Sequence, residues 1–444
     1  MTAEVGILNR MGVALAADSA VTIGGGGMEK VYNSANKLFS LSKHHPIGIM
    51  IYGGANFMGT PWETIIKTYR AKLKDEKKAK LKEYCDDFVQ FVQNDLRLHN
   101  ESAERDIVQN AFREAFMEIL NEVELQINDE IAQGGATPDK ATVESWIASL
   151  TMNFIENIKG NKQILLDQNL IPFEIFKEKH QSNISDVISG FMKFDLTSEV
   201  NEQLYELAYF LMISDIFSNN STGVVIAGYG EDEIFPSLYE YQVEGIICNH
   251  LKVLPEVPSV IGAYTSDQHS TATIIPFAQK DMVYSFTYGI DPYLENKLNG
   301  TLNRILDVYP ELVQQRIQTA LTEDDKNAMK DLGRNLLSTF RQEVSEVQRE
   351  KFIKPLVDIV NILPKEELAA MAEALVNLTS FKRRVSIEAE TVGGPIDVAV
   401  ITKGDGLVWI KRKHYFNPDL NYHFFQNYMR SGEDGNQRAF FNGK

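Results

Sequence analysis

Between residues 57 and 218 the chain has few glycines, and it carries Leu, Ile, Phe, Glu and Lys at helical spacing. Cys85-DDFVQFVQNDLRL and Glu114-AFMEILNEVELQI are examples. This long helical block constrains the fold most, because strand-like sequence stands on both sides of it. Before it, Val5–Leu8 and Val13–Ala17 are short apolar runs separated by Asn9-Arg10. Gly24–Gly27 marks a turn, and Lys37–Ser42 and Ile47–Tyr52 follow, the latter ending in Gly53-Gly54. Four strands joined by short connections predict consecutive antiparallel pairing.

After the helical block, which Gly134-Gly135 and Pro138 divide, strand signals return at Gly223-VVIAGYG and Ser237-LYEYQVEG. A helical pattern is expected from about Ser270 to 379, ending with Ala369-AMAEALVNL. Final strands are expected at Val385–Ala389, Ile396–Thr402 and Leu407–Lys411, with Gly404-Asp405-Gly406 as a hairpin turn. The tail after His414 has no clear periodicity. Strand groups at both ends and in the middle predict two stacked antiparallel sheets covered by helices, a four-layer α/β architecture.

Composition narrows the function classes. The 444 residues are enough for two or three domains, or for one core with a large insertion. A net charge of -17 opposes a large phosphate-binding surface, so no nucleic-acid partner is expected. Cys85 and Cys248 form neither a disulfide framework nor a CxxC pattern, which suits a reducing compartment. There is no basic start with an apolar stretch behind it, and no run of about 18 apolar residues. A cytoplasmic protein without a membrane segment is the expectation. The histidines show no HExxH and no tight ligand grouping, so no metal or cofactor is expected. His44-His45, before Pro46, is expected at the surface, and Glu231, Asp232 and Glu233 as solvated hairpin residues. The run Gly24–Gly27 lacks the GK[ST] ending of a phosphate loop and is expected to be a hairpin.

The candidate chemistry lies at the N-terminus. Thr2 has a small side chain behind Met1, which suits removal of the methionine. A free Thr2 would offer a hydroxyl nucleophile and its own α-amine as base, with an unperturbed pKa of roughly 7.7 to 8.0. Asp18 ends the run VALAAD, and a carboxylate there needs a partner. Lys37 opens another apolar run, with Lys30 and Lys43 as competing choices. A lysine beside the threonine hydroxyl would ease its deprotonation, and an aspartate beside that lysine would hold it charged and aimed. Gly53 would let the backbone approach a substrate and give an N–H to an oxyanion.

These residues carry a resemblance. TAEVGI, GVALAADSA, KLFSL and IYGGA resemble the start of a proteasome β-subunit, and are similar to HslV peptidases and related N-terminal nucleophile (Ntn) hydrolases. The family's Thr, its Asp sixteen residues on, its Lys and its oxyanion glycine match Thr2, Asp18, Lys37 and Gly53. Val224-VIAGYGEDEIFPSLYEYQVEG resembles the family's paired middle strands, and Glu390-TVGGPIDVAVITKGDG a later segment. There Glu390 stands for the family's Asp and Gly393 for its Ser, both departures. Ser266 and Ser270 are the nearest candidates for another family serine.

The resemblance covers residues 2–56, about 222–290 and about 365–412. It implies a four-layer αββα Ntn core over 1–56, 222–290 and 365–412, a helical insertion at 57–221, additional helices at 291–364 and a tail at 413–444. It also implies a threonine-type hydrolase acting on a peptide or protein substrate, a homo-oligomer, and an unfoldase or regulator as a further partner. Two other expectations stand beside it. One is an Ntn amidohydrolase for a small amide. The other is an inactive proteasome-like scaffold that binds a partner through its insertion.

Overall fold

The computed structural model describes residues 2–25, 28–134, 136–264, 270–317, 320–386 and 392–430. The protein is mixed α/β with antiparallel sheets. The strands are β1 (Ala3–Asn9), β2 (Gly12–Ala17), β3 (Val21–Gly25), β4 (Met28–Tyr32), β5 (Leu38–Ser40), β6 (Ile47–Gly53), β7 (Asn56–Phe57), β8 (Thr60–Pro61), β9 (Thr222–Gly228), β10 (Ser237–Ile247), β11 (His250–Pro255), β12 (Ser259–Val260), β13 (Ala272–Ala278), β14 (Asp397–Thr402) and β15 (Gly406–Lys411). The first sheet has the order β13-β1-β2-β14-β15 and the second β11-β10-β9-β6-β5, with β12 beside β10. β3–β4 and β7–β8 are separate hairpins.

Every residue of β1 and β2 is buried, so both faces of these strands are covered. That is why they read as near-continuous apolar runs. One face holds Ala3, Val5, Ile7, Ala14 and Ala16, packed with Leu368, Ala369, Ala372, Leu375 and Val376 of a helix at Lys365–Val385. Small alanines on both sides allow close approach of helix and sheet. The other face holds Leu8, Val13, Leu15 and Ala17, packed with Met50, Val225, Ala227 and Leu238 of the second sheet. The opposite face of that second sheet carries Ile49, Ile226 and Tyr241 against Trp62, Ile66 and Tyr69 of α1 (Trp62–Leu73) and Phe88 of α2 (Leu81–Asn94).

The helical block therefore divides. α1 and α2 cover a sheet, whereas α3 (Glu101–Ala132), α4 (Lys140–Asn161), α5 (Phe173–Phe191) and α6 (Ser198–Ile213) enclose an apolar cluster of their own. Glu104 of α3 ties that cluster to the β10–β11 hairpin. Its carboxylate accepts from Lys179 Nζ (2.6 Å), His180 Nε2 (3.1 Å) and the Cys248 amide (2.8 Å). Further helices are α7 (Asp281–Tyr288), α8 (Pro292–Ile317), α9 (Glu323–Gln348), α10 (Lys354–Ile362), the Lys365–Val385 helix, now α11, and α12 (Tyr422–Arg430).

Several expectations need correction. Residues 272–278 form a strand, β13, where a helix was expected; it completes the edge of the first sheet beside β1. The helix before β14 runs on to Val385, so no strand begins there, and 387–389 lie outside the described residues. β2 does not pair with β5, because the chain crosses from one sheet to the other between them. Within the tail, Tyr422–Arg430 form α12, and 431–444 lie outside the described residues. His45 is buried, its ring 5.6 Å from that of Tyr84. Glu233 is not merely solvated: its carboxylate accepts from the Leu81 amide at the start of α2. Among the described residues no helix is long and apolar enough to cross a membrane.

Tyr52 lies over Gly223 of the neighbouring strand, where an added Cβ would meet the ring at 1.9 Å. Gly223→Ala is therefore expected to cost about 1–3 kcal/mol by overpacking, measured by urea denaturation against the unaltered chain.

Candidate functional site

Strand pairing assembles the site. In the β1–β2 hairpin Glu4 pairs with Ala17, which places Ala3 beside Asp18. The Asp18 amide donates to Ala3 O (3.1 Å), and the Ala3 amide donates back to Asp18 Oδ1 (3.2 Å). Thr2 and Asp18 thus share one end of the first sheet. Thr2 is fixed from the other side by the Gln279 amide, which donates to its carbonyl at 3.1 Å.

Lys37 enters from the second sheet. Its Nζ donates to Thr2 Oγ1 at 2.8 Å and to Asp18 Oδ1 at 2.5 Å. Thr2 and Lys37 are each 6% exposed and Asp18 1%. A buried ion pair needs further hydrogen bonds to offset desolvation. Asp18 has them: Oδ2 accepts from the Ala20 amide (3.2 Å) and the Gly393 amide (3.0 Å). Four donors thus meet the roughly four lone-pair positions of a carboxylate. Because Lys37 donates to Oγ1, the threonine's own hydroxyl hydrogen is left to another acceptor.

Gly53 ends β6 with φ +80°, and a Cβ there would lie 2.4 Å from Ser221 O, so the position demands glycine. The Ile51 amide donates to Lys37 O (3.0 Å), and the Gly54 amide donates away from it to Ser221 O (3.1 Å). Alternation along the strand turns the Gly53 N–H to the same edge as that of Ile51, the edge where Lys37 lies.

Of the residues expected from sequence, Thr2, Asp18 and Lys37 meet directly, and Gly53 is two residues along β6 from the Ile51–Lys37 contact. Lys30 and Lys43 are exposed. Glu390 and Ser266 lie outside the described residues. Ser270 precedes β13 at the end that pairs with Asn9, whereas the Ala278 end pairs with Ala3. The length of β13 puts Ser270 about 20 Å from the threonine, so it is not a partner of Thr2. Gly393 lacks a hydroxyl but contributes its backbone N–H to Asp18.

Sequence reasoning missed Glu4. It lies on the Thr2 side of β1, two residues on, and is 1% exposed, with neither carboxyl oxygen hydrogen-bonded. Burial pushes its carboxyl well above the usual range; Lys37 pulls it back, while Asp18 and Glu240 add to the rise. A lone charge inside AEVGILN was the available signal. Nearby, the Tyr52 hydroxyl donates to Glu240, and burial and that glutamate raise its pKa.

Among the described residues one group could hold a metal ion, against the expectation from spacing. Ligand atoms of Glu104, His180 and Cys248 lie within 4.8 Å of one another. The residues are remote in sequence, so no spacing motif marks them. As the structure stands, Glu104 is fully engaged in the hydrogen bonds described above.

No protein-family model matches the chain, and no curated protein matches it in sequence.

Removing one member of a buried ion pair strands the other. Asp18→Asn is expected to lower stability by about 3–5 kcal/mol, and Asp18→Asn with Lys37→Met by less than the sum of the single changes. Chemical denaturation of the two single variants and the double variant measures this coupling.

Proposed function

We propose that the protein is a threonine-type Ntn hydrolase that cleaves peptide bonds through an acyl-enzyme on Thr2 after Met1 is removed. The observation that carries this is the buried Lys37 ammonium, bonded at once to the Thr2 hydroxyl and to Asp18. The packing order supports it: α11, first sheet, second sheet, then α1 and α2, as in the αββα sandwich of that class.

In this mechanism the Thr2 α-amine takes the hydroxyl proton as Oγ1 attacks the substrate carbonyl carbon. The Lys37 ammonium stabilises the oxygen while it carries charge, and Asp18 fixes the ammonium in position. The Gly53 N–H donates to the oxyanion of the tetrahedral intermediate. Collapse breaks the C–N bond, and the α-ammonium gives its proton to the departing amine. Water, deprotonated by the freed α-amine, then attacks the ester carbon, and Thr2 Oγ1 leaves with the proton returned.

Assembly belongs to the same proposal. Tyr293, Leu312, Leu336 and Phe340 on α8 and α9 are at least half exposed, which gives a homo-oligomer an apolar contact surface. An unfoldase or regulator would deliver folded substrates.

Hydrolysis of fluorogenic peptides by Met1-processed protein tests the activity. Thr2→Ala is expected to abolish it, and the rate to climb with pH through roughly 7 to 8 as the α-amine loses its proton. No hydrolysis by processed protein, or equal hydrolysis by Thr2→Ala, would contradict the proposal. Cleavage of short amides without degradation of unfolded casein would move the substrate to small amides.

A further inference from the structure

Two buried carboxyl groups feel the charge of the Lys37 ammonium, and they are treated in opposite ways. Among the described residues Asp18 accepts from four donors, and Glu4 from none. Both are 1% exposed, so neither carboxyl reaches bulk solvent. A buried carboxylate without donors is far costlier than a buried carboxylic acid. Asp18 is therefore the anion of the pair. Among the described residues, Glu240 from β10 and the Tyr52 hydroxyl from β6 also act on Glu4, and these two bond to each other. Neither offers Glu4 a compensating positive charge.

We propose that Glu4 carries a proton at neutral pH and is a positioning residue for Thr2, its neutrality leaving the Lys37 ammonium to Asp18 and the Thr2 hydroxyl. The positioning role rests on the proposed threonine mechanism; the proton on Glu4 does not. An ionised Glu4 would compete with Asp18 for Lys37 and draw Nζ away from Oγ1. The arrangement costs stability. A carboxyl whose pKa is higher folded than unfolded binds more protons in the native state. Its contribution to stability therefore falls as pH rises from about 4.3, the unfolded glutamate value, toward the folded one. A leucine would fit the apolar strand better, and the glutamate is an example of stability given up at a working site.

The proton is read directly by infrared spectroscopy, from the carboxylic-acid C=O stretch at neutral pH in wild type, Thr2→Ala and Glu4→Gln. The band is expected in the first two and absent from the third. Its absence from wild type, or its persistence in Glu4→Gln, would overturn the proposal. Should Glu4→Gln not fold, Glu4→Leu supplies the same subtraction. Melting temperatures add a second reading: Glu4→Gln should exceed wild type by a margin that widens between pH 5 and pH 8, and a constant or reversed margin counts against the proposal.

For positioning, Thr2 is labelled with a β-lactone across pH. Glu4→Gln should react within about threefold of wild type at neutral pH. Wild type is expected to slow at alkaline pH as Glu4 ionises and Glu4→Gln is not, and the same profile in both would count against the positioning role. A slowing of about tenfold or more at neutral pH in folded Glu4→Gln would show that Glu4 acts as an anion instead. If wild-type Thr2 is inert, the threonine mechanism and the positioning role fall together, while the infrared band still decides the proton on Glu4.

Discussion

The ion pair between Lys37 and Asp18 joins the two sheets at the end where the chain begins. Each partner comes from a different sheet, and each is buried. Such a pair is tolerated only where hydrogen bonds surround it, and here the backbone supplies them from β1, from the turn after β2 and from the segment before β14. Three chain segments must therefore be in register for the charge to be accommodated. The same register places the Thr2 hydroxyl on the lysine. Stability and the proposed chemistry depend on one set of contacts, which is why the changes that test one disturb the other.

Around this point the sheets are rigid supports. β1 and β2 are covered on both faces, and β6 brings Gly53 to the strand end beside Lys37. Catalytic groups on strand ends are held more firmly than groups on loops, and an oxyanion donor has to be in place before charge develops. The large helical block adds a second apolar cluster, α3–α6, fastened to the β10–β11 hairpin through Glu104.

Much of this was legible in the sequence, and the gaps have physical causes. Thr2, Asp18 and Lys37 could be picked out because each sits at the edge of a short apolar run and their order resembles that of a known family. β13 was mistaken for helix because ATIIPFA is short and apolar, and period alone does not separate a buried strand from a buried helix turn. Gly393 was discounted for lacking a hydroxyl, although its contribution is a backbone N–H, which any residue type could provide. The helix ending at Val385 overran the expected strand, since the continuing helical register outweighs the strand propensity of one β-branched valine. Glu4 passed unnoticed because a single acid in a strand is ordinarily solvated; only the second sheet, packed over it, turns that residue into a buried acid. The Glu104–His180–Cys248 group depends on tertiary contacts between two helices and a hairpin, which no local pattern encodes.

In the proposed mechanism Lys37 arms the Thr2 hydroxyl. The direct measurement is the site and rate of covalent labelling of Met1-processed protein by a β-lactone, mapped by tandem mass spectrometry, in wild type and in folded Lys37→Ala. A single adduct on Thr2, lost or slowed by about a hundredfold or more in Lys37→Ala, is the result expected. Labelling elsewhere, or equal labelling of Thr2 without Lys37, would contradict it.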